Sequence, residues 1–555
     1  MRLTRRDMLK LGIAVGGATV LPGGRLLADG GGGGGGGSQE LGPSPRTRPF
    51  VVELLPGRGL PPIAQPVTPF PTLPDPANCV NVDGTTALHV SGPRVVPANT
   101  EFFLIHERPV AHSFHPDLPL NVVWGYDGMV PGPTFIATSG IPQLVRFVND
   151  LPLNDPVGIG EPITAIHRHG GVQGPENDGY PLDTFCTGQS RDYFYPNRPE
   201  GGLLQNEHAT TWYHDHAIDI TGPNVYRGLA GFYLNKNILD TLNELDPPPA
   251  LGLPSGEFDI GLVIQDKQFD PNGFLVFDNF DHNGFLGDKF LVNGIIQPFL
   301  RVARRKYRFR ILNGSNARVY QLFLSNGQPF VAIATDSNLL EHPVTVQSFV
   351  LAPAERVEVV LDFSRFSLGD ELFLVNRLEQ DDGRKPGDLV SPGTPLLKFV
   401  VSRDAADPSR VPATLLPVTQ GPEQLLPQVE VEREFEFERS DGAWVINGEF
   451  FDENRVSATP RLGRPEIWTF ASGGGWVHPI HVHLSDFFIL SVDGQTPPVL
   501  QGGRGRKDTV LIGGDFNREV KILILFDEFL GRYVFHCHNI EHEDMRMMAN
   551  FETQP

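Results

Sequence analysis

Turn signals followed by runs of alternating, β-branched and aromatic residues recur three times along the chain. Asp127-Gly128 precedes Pro131-Gly132-Pro133-Thr134-Phe135 and then Leu144-Val145-Arg146-Phe147-Val148-Asn149. Asn293-Gly294 precedes Pro298-Phe299-Leu300 and then Tyr307-Arg308-Phe309-Arg310-Ile311-Leu312-Asn313. Asn447-Gly448 precedes a third extended run, Pro465-Glu466-Ile467-Trp468-Thr469-Phe470. Such segments read as strands. A repeat of about 160 residues suits one β-sandwich per repeat. Helical periodicity is sparse, and only Leu239 to Leu245 and Ser364 to Phe366 read as short helices or turns.

The 555 residues exceed what one core can bury, so about two to four domains are expected. The 61 glycines and 51 prolines suit the many turns of an all-β chain. Thr4-Arg5-Arg6-Asp7-Met8-Leu9-Lys10 forms a twin-arginine pattern, followed by a mildly apolar run to Leu21 and a small-residue region ending near Ala28. The apolar run is too short and too rich in glycine to span a bilayer, and nothing else in the chain could. Residues 1–28 therefore read as a signal peptide for the twin-arginine translocase, leaving a periplasmic or extracellular chain. Gly30 to Gly37 is a flexible linker, and residues up to about Pro76 form an extended arm over the core. The remaining divisions fall at 77–245, 246–420 and 421–555.

The formal charge is -21. A chain so acidic is repelled by nucleic acid and anionic lipid, so neither is expected as a partner. Of the three cysteines, Cys79 and Cys186 are free to pair in an oxidising compartment.

The chemistry gathers around Phe535-His536-Cys537-His538-Asn539-Ile540-Glu541-His542. On a strand, side chains alternate between faces, so His536 and His538 point one way and Cys537 the other. One tripeptide can thus feed two metal sites. Upstream, His481 and His483 share a face, and His478 falls on the opposite one. His478 can join Cys537 and His542, with Met547 as a weak axial donor, which is the ligand set of a blue copper centre. His167-Arg168-His169 and His214-Asp215-His216 supply two further pairs. Ten of the 17 histidines lie in these four motifs. A single His-x-His pair is more often a polar strand face; four clusters, one carrying a His-Cys-His, point to metal. Two pairs lie in the first third of the chain and two in the last, so the cluster must form where the first and third domains meet. The middle domain reads as a spacer, with His282 and His342 as ordinary polar residues.

These motifs resemble those of the multicopper oxidases in number, order and spacing. Trp212-Tyr213-His214-Asp215-His216-Ala217, the run from His478 to Leu484 and the run from His536 to Asp544 look most like the bacterial spore-coat laccases, bilirubin oxidases and phenoxazinone synthase. The resemblance implies an all-β chain of three cupredoxin-like Greek-key β-sandwich domains carrying four copper ions. His478, Cys537, His542 and Met547 would form the type 1 site. His167 and His481 would hold the type 2 copper. His169, His214 and His538 would hold one type 3 copper, and His216, His483 and His536 the other. Glu543 and Asp178 match positions of acids near the trinuclear centre and would supply protons. Asp215 is expected to orient ligands from outside the site, and Asp508 is a weaker candidate for that role.

The implied activity is laccase-like, with small phenols or aromatic amines oxidised at the exposed edge of His478 and O2 reduced to water. A metallo-oxidase for Mn(II) or Cu(I) and a non-enzymatic copper-binding protein are the alternatives. With six methionines, three of them in the C-terminal motif, the chain has no methionine-rich insert of the kind cuprous oxidases often carry.

Overall fold

The computed structural model describes residues 41–57, 59–67, 89, 96–440, 442–497, 500, 505–514 and 517–555. The signal, the glycine run and Cys79 lie outside these residues. Cys186 is disulfide-bonded.

The described chain is nearly all strand, in three successive pairs of sheets. The same topology recurs in each. In the first, strand Glu101–His112 pairs in parallel with Gln143–Asn149, and Gly132–Thr138 pairs in parallel with the last strand, Ala230–Lys236. In the second, Asp259–Phe269 runs parallel to Lys306–Asn313, and Phe299–Ala303 to the last strand, Leu389–Arg403. In the third, Val431–Ser440 runs parallel to Glu466–Ala471, and Val456–Ala458 to the last strand, Met548–Thr553. The repeat read from the sequence is therefore a repeat of strand order.

Its pivots are the three turn signals. Asp127 and Gly128, Asn293 and Gly294, and Asn447 and Gly448 all sit at positive φ, which tight hairpin turns require and which Asn, Asp and Gly tolerate. The turn side chain also performs the same task each time. Asp127 Oδ1 accepts from His106 N (2.9 Å), Asn293 Oδ1 from Val263 N (2.7 Å) and Asn447 Oδ1 from Glu436 N (2.6 Å), tying each turn to its sandwich's first long strand.

Each sandwich has its own apolar filling. Phe103, Trp124, Phe135 and Phe147 fill the first, Leu262, Phe309, Val359 and Phe399 the second, and Trp468, Phe470, Phe535 and Phe551 the third. Described residues 41–57 and 59–67 contact the first two: Leu54 N donates to Phe299 O and Ala64 N to Thr134 O, both at 2.8 Å. Leu239 to Leu245 and Ser364 to Phe366 are turns, bends and irregular chain, with no helix. The α-helices among the described residues are Thr221–Arg227, Pro422–Leu425 and Ile540–Asp544, the last carrying His542. No helix of the described residues is long and apolar enough to cross a membrane.

Candidate metal centre

Strand pairing brings the histidine motifs face to face. Strand Ile166–His169 lies antiparallel to Thr210–Asp215, with His167 opposite His214 and His169 opposite Trp212. Strand Val477–Val482 lies antiparallel to Gly531–Cys537, with His481 opposite His536 and Ile480 opposite Cys537. The two pairs of strands meet between the first and third sandwiches, and all ten motif histidines are buried.

Four groups of histidine and cysteine donors converge, and His167, Asp178 and His483 make a fifth. His478, Cys537 and His542 form one; His167, His169 and His481, His169, His214 and His538, and His216, His483 and His536 form the others. In the first group Cys537 Sγ lies 3.5 Å from Nδ1 of both His478 and His542, and the two nitrogens are 3.2 Å apart. Cys537 faces away from the other three groups, as the alternation of its strand dictates. Met547 and Met545 pack in the same apolar cluster as Cys537, whereas Met548 packs in another. Met547 O accepts from Cys537 N at 3.0 Å.

The proton positions show what these groups are built for. His167 Nδ1 donates to Asp178 O (2.6 Å) and His481 Nδ1 to Asp508 O (2.8 Å). A backbone carbonyl can only accept, so each ring carries its proton on Nδ1 and a lone pair on Nε2. Those two Nε2 atoms face each other at 3.4 Å. His536 Nε2 lies 3.2 Å from Nε2 of both His216 and His483. His542 Nε2 donates to Asn283 O (3.1 Å), which leaves its Nδ1 lone pair toward Cys537. His169 Nδ1, His214 Nε2 and both ring nitrogens of His538 are buried without a hydrogen-bond partner among the described residues. Lone pairs crowded together in a dry interior repel unless a cation sits between them. Imidazole and thiolate suit copper, so the residues present fit the metal.

Burial favours neutral imidazole at His214, His478 and His481, taking them down to about 3, and at His216, taking it to about 4. It pushes the Asp178 carboxyl up to about 8, with Gln173 pulling the other way. Burial also works against ionising Glu543, yet the imidazoles of His536 and His216 hold that carboxyl down at about 2.

Both proposed proton donors reach the cluster. Asp178 Oδ2 lies 2.7 Å from His483 Nδ1. Glu543 Oε2 lies 3.2 Å from His536 Nδ1, and its Oε1 lies 3.4 Å from His216 Nδ1. Asp215 acts differently from the expectation. Its carboxylate accepts from Ala165 N and Asn224 Nδ2, both at 2.9 Å, and it is its backbone carbonyl that receives His214 Nδ1 at 2.7 Å. Asp508, the weaker candidate, holds His169 Nε2 through Oδ1 at 3.0 Å in addition to His481.

Two expectations need correction. His478 presents no exposed edge, because it is 1 % exposed and His542 is 0 % exposed. Trp444 covers His542 with ring centroids 3.8 Å apart, and half-buried Trp476 packs edge-on against Trp444 at 5.0 Å. Arg439 lies over both indoles, at 5.2 and 5.9 Å. The middle domain is also more than a spacer, since it supplies the Asn283 carbonyl. Thr210, on the strand of His214, donates to the middle domain's Glu358 at 2.6 Å.

Several functional contacts have no signature in the motifs. Glu541 accepts from Asn316 Nδ2 (2.7 Å) and Phe285 N (3.0 Å) of the middle domain. Asp544 accepts from Thr221 N and Gly222 N of the first domain, and Arg546 forms a two-point pair with Asp219, both contacts 2.8 Å. The acids beside His542 thus clamp the three domains around the ligand loop.

Multicopper oxidase family models match residues 112–237, 281–382 and 424–555. A bilirubin oxidase from Albifimbria verrucaria is 37% identical over 468 residues, covering 81% of this chain and 76% of its own. A laccase from Bacillus subtilis is 33% identical over 512 residues, covering 82% of this chain and 94% of its own. Among solved structures, a multicopper oxidase variant from Aquifex aeolicus superposes with a TM-score of 0.70 at 27% identity, covering 82% of this chain and 96% of that one. A multicopper oxidase from Pediococcus acidilactici shares the fold, with a TM-score of 0.71 at 23% identity and 94% coverage of both chains. With its three cupredoxin-like sandwiches and its buried histidine and cysteine clusters, the chain belongs to the multicopper oxidase family and is a laccase-like, copper-dependent oxidoreductase.

Proposed function

We propose that the protein oxidises phenols or aromatic amines one electron at a time and reduces O2 to two waters with four electrons and four protons. His478, Cys537 and His542, with Met547 beside them, would hold a type 1 copper. His167 and His481 hold the type 2 copper. His169, His214 and His538 hold one type 3 copper, and His216, His483 and His536 the other. The observation that carries this reading is the Cys537 triangle, joined to the eight-histidine cluster by single covalent steps to His536 and His538. Bound copper supplies the one-electron steps and the O2 chemistry.

The chain's own residues do the rest. Cys537 links the two centres through its neighbours. With both type 1 histidines and Trp444 buried, half-buried Trp476 offers the donor an aromatic face, its ring centroid 6.0 Å from that of His542. Glu543 and Asp178 carry protons to the oxygen side. Domain divisions at 77–245, 246–420 and 421–555 are supported by large sheets that each draw their strands from one third of the chain. The twin-arginine pattern supports export to the periplasm or beyond.

The test is copper analysis with O2 uptake. Four coppers per chain, a strong blue absorption lost in Cys537→Ser, and water as product are expected. A colourless protein fully loaded with copper would refute the type 1 assignment. Faster turnover of Mn(II) or Cu(I) than of any phenol would assign a metallo-oxidase instead.

A further inference from the structure

We propose that Arg356, from the middle domain, is a positioning residue for the oxygen-side cluster. The inference rests on the assignment of His169 and His481 as ligands there. Arg356 is 0 % exposed and grips Asp508 with a two-point fork, Nη1 to Oδ1 at 2.8 Å and Nη2 to Oδ2 at 2.6 Å. Such a fork fixes both the place and the plane of a carboxylate. Ser337, also of the middle domain, donates to Oδ2 at 2.7 Å.

Asp508 in turn touches imidazoles from two domains, the first and its own. Its Oδ1 receives His169 Nε2 of the first domain at 3.0 Å, and its carbonyl receives His481 Nδ1 of its own domain at 2.8 Å. With Nε2 so engaged, the buried, unpartnered Nδ1 of His169 is its free donor atom. Arg356 reaches the cluster by a second route, its Nε donating to Thr210 O at 3.3 Å, on the strand that carries His214. Gly170, directly after His169, makes room for the fork: a Cβ there would lie 2.5 Å from Arg356 Nη2 and 2.6 Å from Asp508 Oδ2. One guanidinium thus fixes the carboxylate that orients His169 and the segment that orients His481. It does so from a domain that contributes no ligand.

A residue that only glued domains together would weaken both copper centres alike. The type 1 site, which Arg356 does not touch, therefore serves as an internal control. Arg356→Gln should keep the type 1 copper and its blue band. It should bind the oxygen-side copper about 10- to 100-fold more weakly, the usual effect of losing a residue that orients a metal ligand. The magnetic resonance spectrum of the type 2 copper should also change. Arg356→Lys keeps the charge without the fork and should fall between the two. Equal loss from both centres, or an unchanged type 2 spectrum with full copper content, would overturn the proposal. If Arg356→Gln yields no folded protein, Arg356→Lys and Ser337→Ala decide, and an unchanged type 2 spectrum in both overturns it. Absence of any type 2 signal in the unaltered protein would instead remove the ligand assignment, and this inference with it.

Discussion

The Asn283 carbonyl accepts the Nε2 proton of His542 at 3.1 Å, so a backbone group of the middle domain sets the tautomer of a ligand in the third. The segment bearing Asn283 is pinned by Trp444, whose Nε1 donates to His282 O at 2.7 Å while its ring covers His542. Trp444→Phe keeps the stack and removes that donor. The cost to stability should be about 0.5–1.5 kcal/mol, the net worth of one hydrogen bond. Anaerobic reduction of the type 1 site by a phenol should slow several-fold, while reoxidation by O2 keeps its rate. Stopped-flow traces of the blue band separate the two half-reactions, and an unchanged reductive half would show that electrons enter elsewhere.

Met547 shares an apolar cluster with Cys537, and Met548 does not. A thioether donor stabilises Cu(II) more than Cu(I) in this role, and a leucine of similar volume cannot replace it. Met547→Leu should raise the potential of the type 1 site and keep the blue band. A redox titration showing no change would move the axial role to Met545, which packs in the same cluster.

Removing the metal should expose a steep acid sensitivity. His214, His478, His481 and His216 are neutral in the fold, with values of about 3 to 4 against 6.5 when unperturbed. Below 6.5 the unfolded chain binds protons that the folded chain refuses, so stability falls as pH falls. The stabilisation is fully present above 6.5 and is lost on the way down to about 3 for His214, His478 and His481 and to about 4 for His216. Each histidine contributes up to about 1.4 kcal/mol per pH unit in that window. Thermal melting of the copper-free protein from pH 7 to pH 4 tests this. A flat melting temperature would mean that the histidines are solvated without metal.

The grouping of the histidines around Cys537 and away from it was legible in the sequence because alternation along a strand depends only on spacing. His478 against His481 and His483, and Cys537 against its neighbours, could be sorted to opposite faces by counting. The threefold strand order was legible through Asp127-Gly128, Asn293-Gly294 and Asn447-Gly448, because positive φ at a tight turn restricts residue choice. Arg356 and Asp508 were not legible as a pair. They lie 152 residues apart on different domains, and their meeting depends on how whole sandwiches dock. The burial of His478 failed for the same reason: the Trp444 and Asn283 that enclose its site come from segments remote from it in sequence.

Glu543 follows ligand His542 directly, but the helix Ile540–Asp544 swings its carboxylate away from the type 1 site toward His536 and His216. It is 2 % exposed, and neither carboxylate oxygen has a hydrogen bond of good geometry among the described residues. The surrounding imidazoles keep it ionised, so it can accept a proton and hand it on within hydrogen-bond reach or through one water. Glu543→Gln keeps size and shape but cannot carry a proton. Turnover should fall by about 10- to 1000-fold, a range centred on the usual general-acid contribution. Copper content and the blue band should be nearly unchanged, because no ligand is touched. Reduction by donor under anaerobic conditions should keep its rate, and only reoxidation by O2 should slow. Asp178→Asn is the comparison, because burial pushes that carboxyl up to about 8 and it starts the cycle holding a proton at neutral pH. Normal reoxidation in Glu543→Gln with slow reoxidation in Asp178→Asn would assign proton delivery to Asp178 alone.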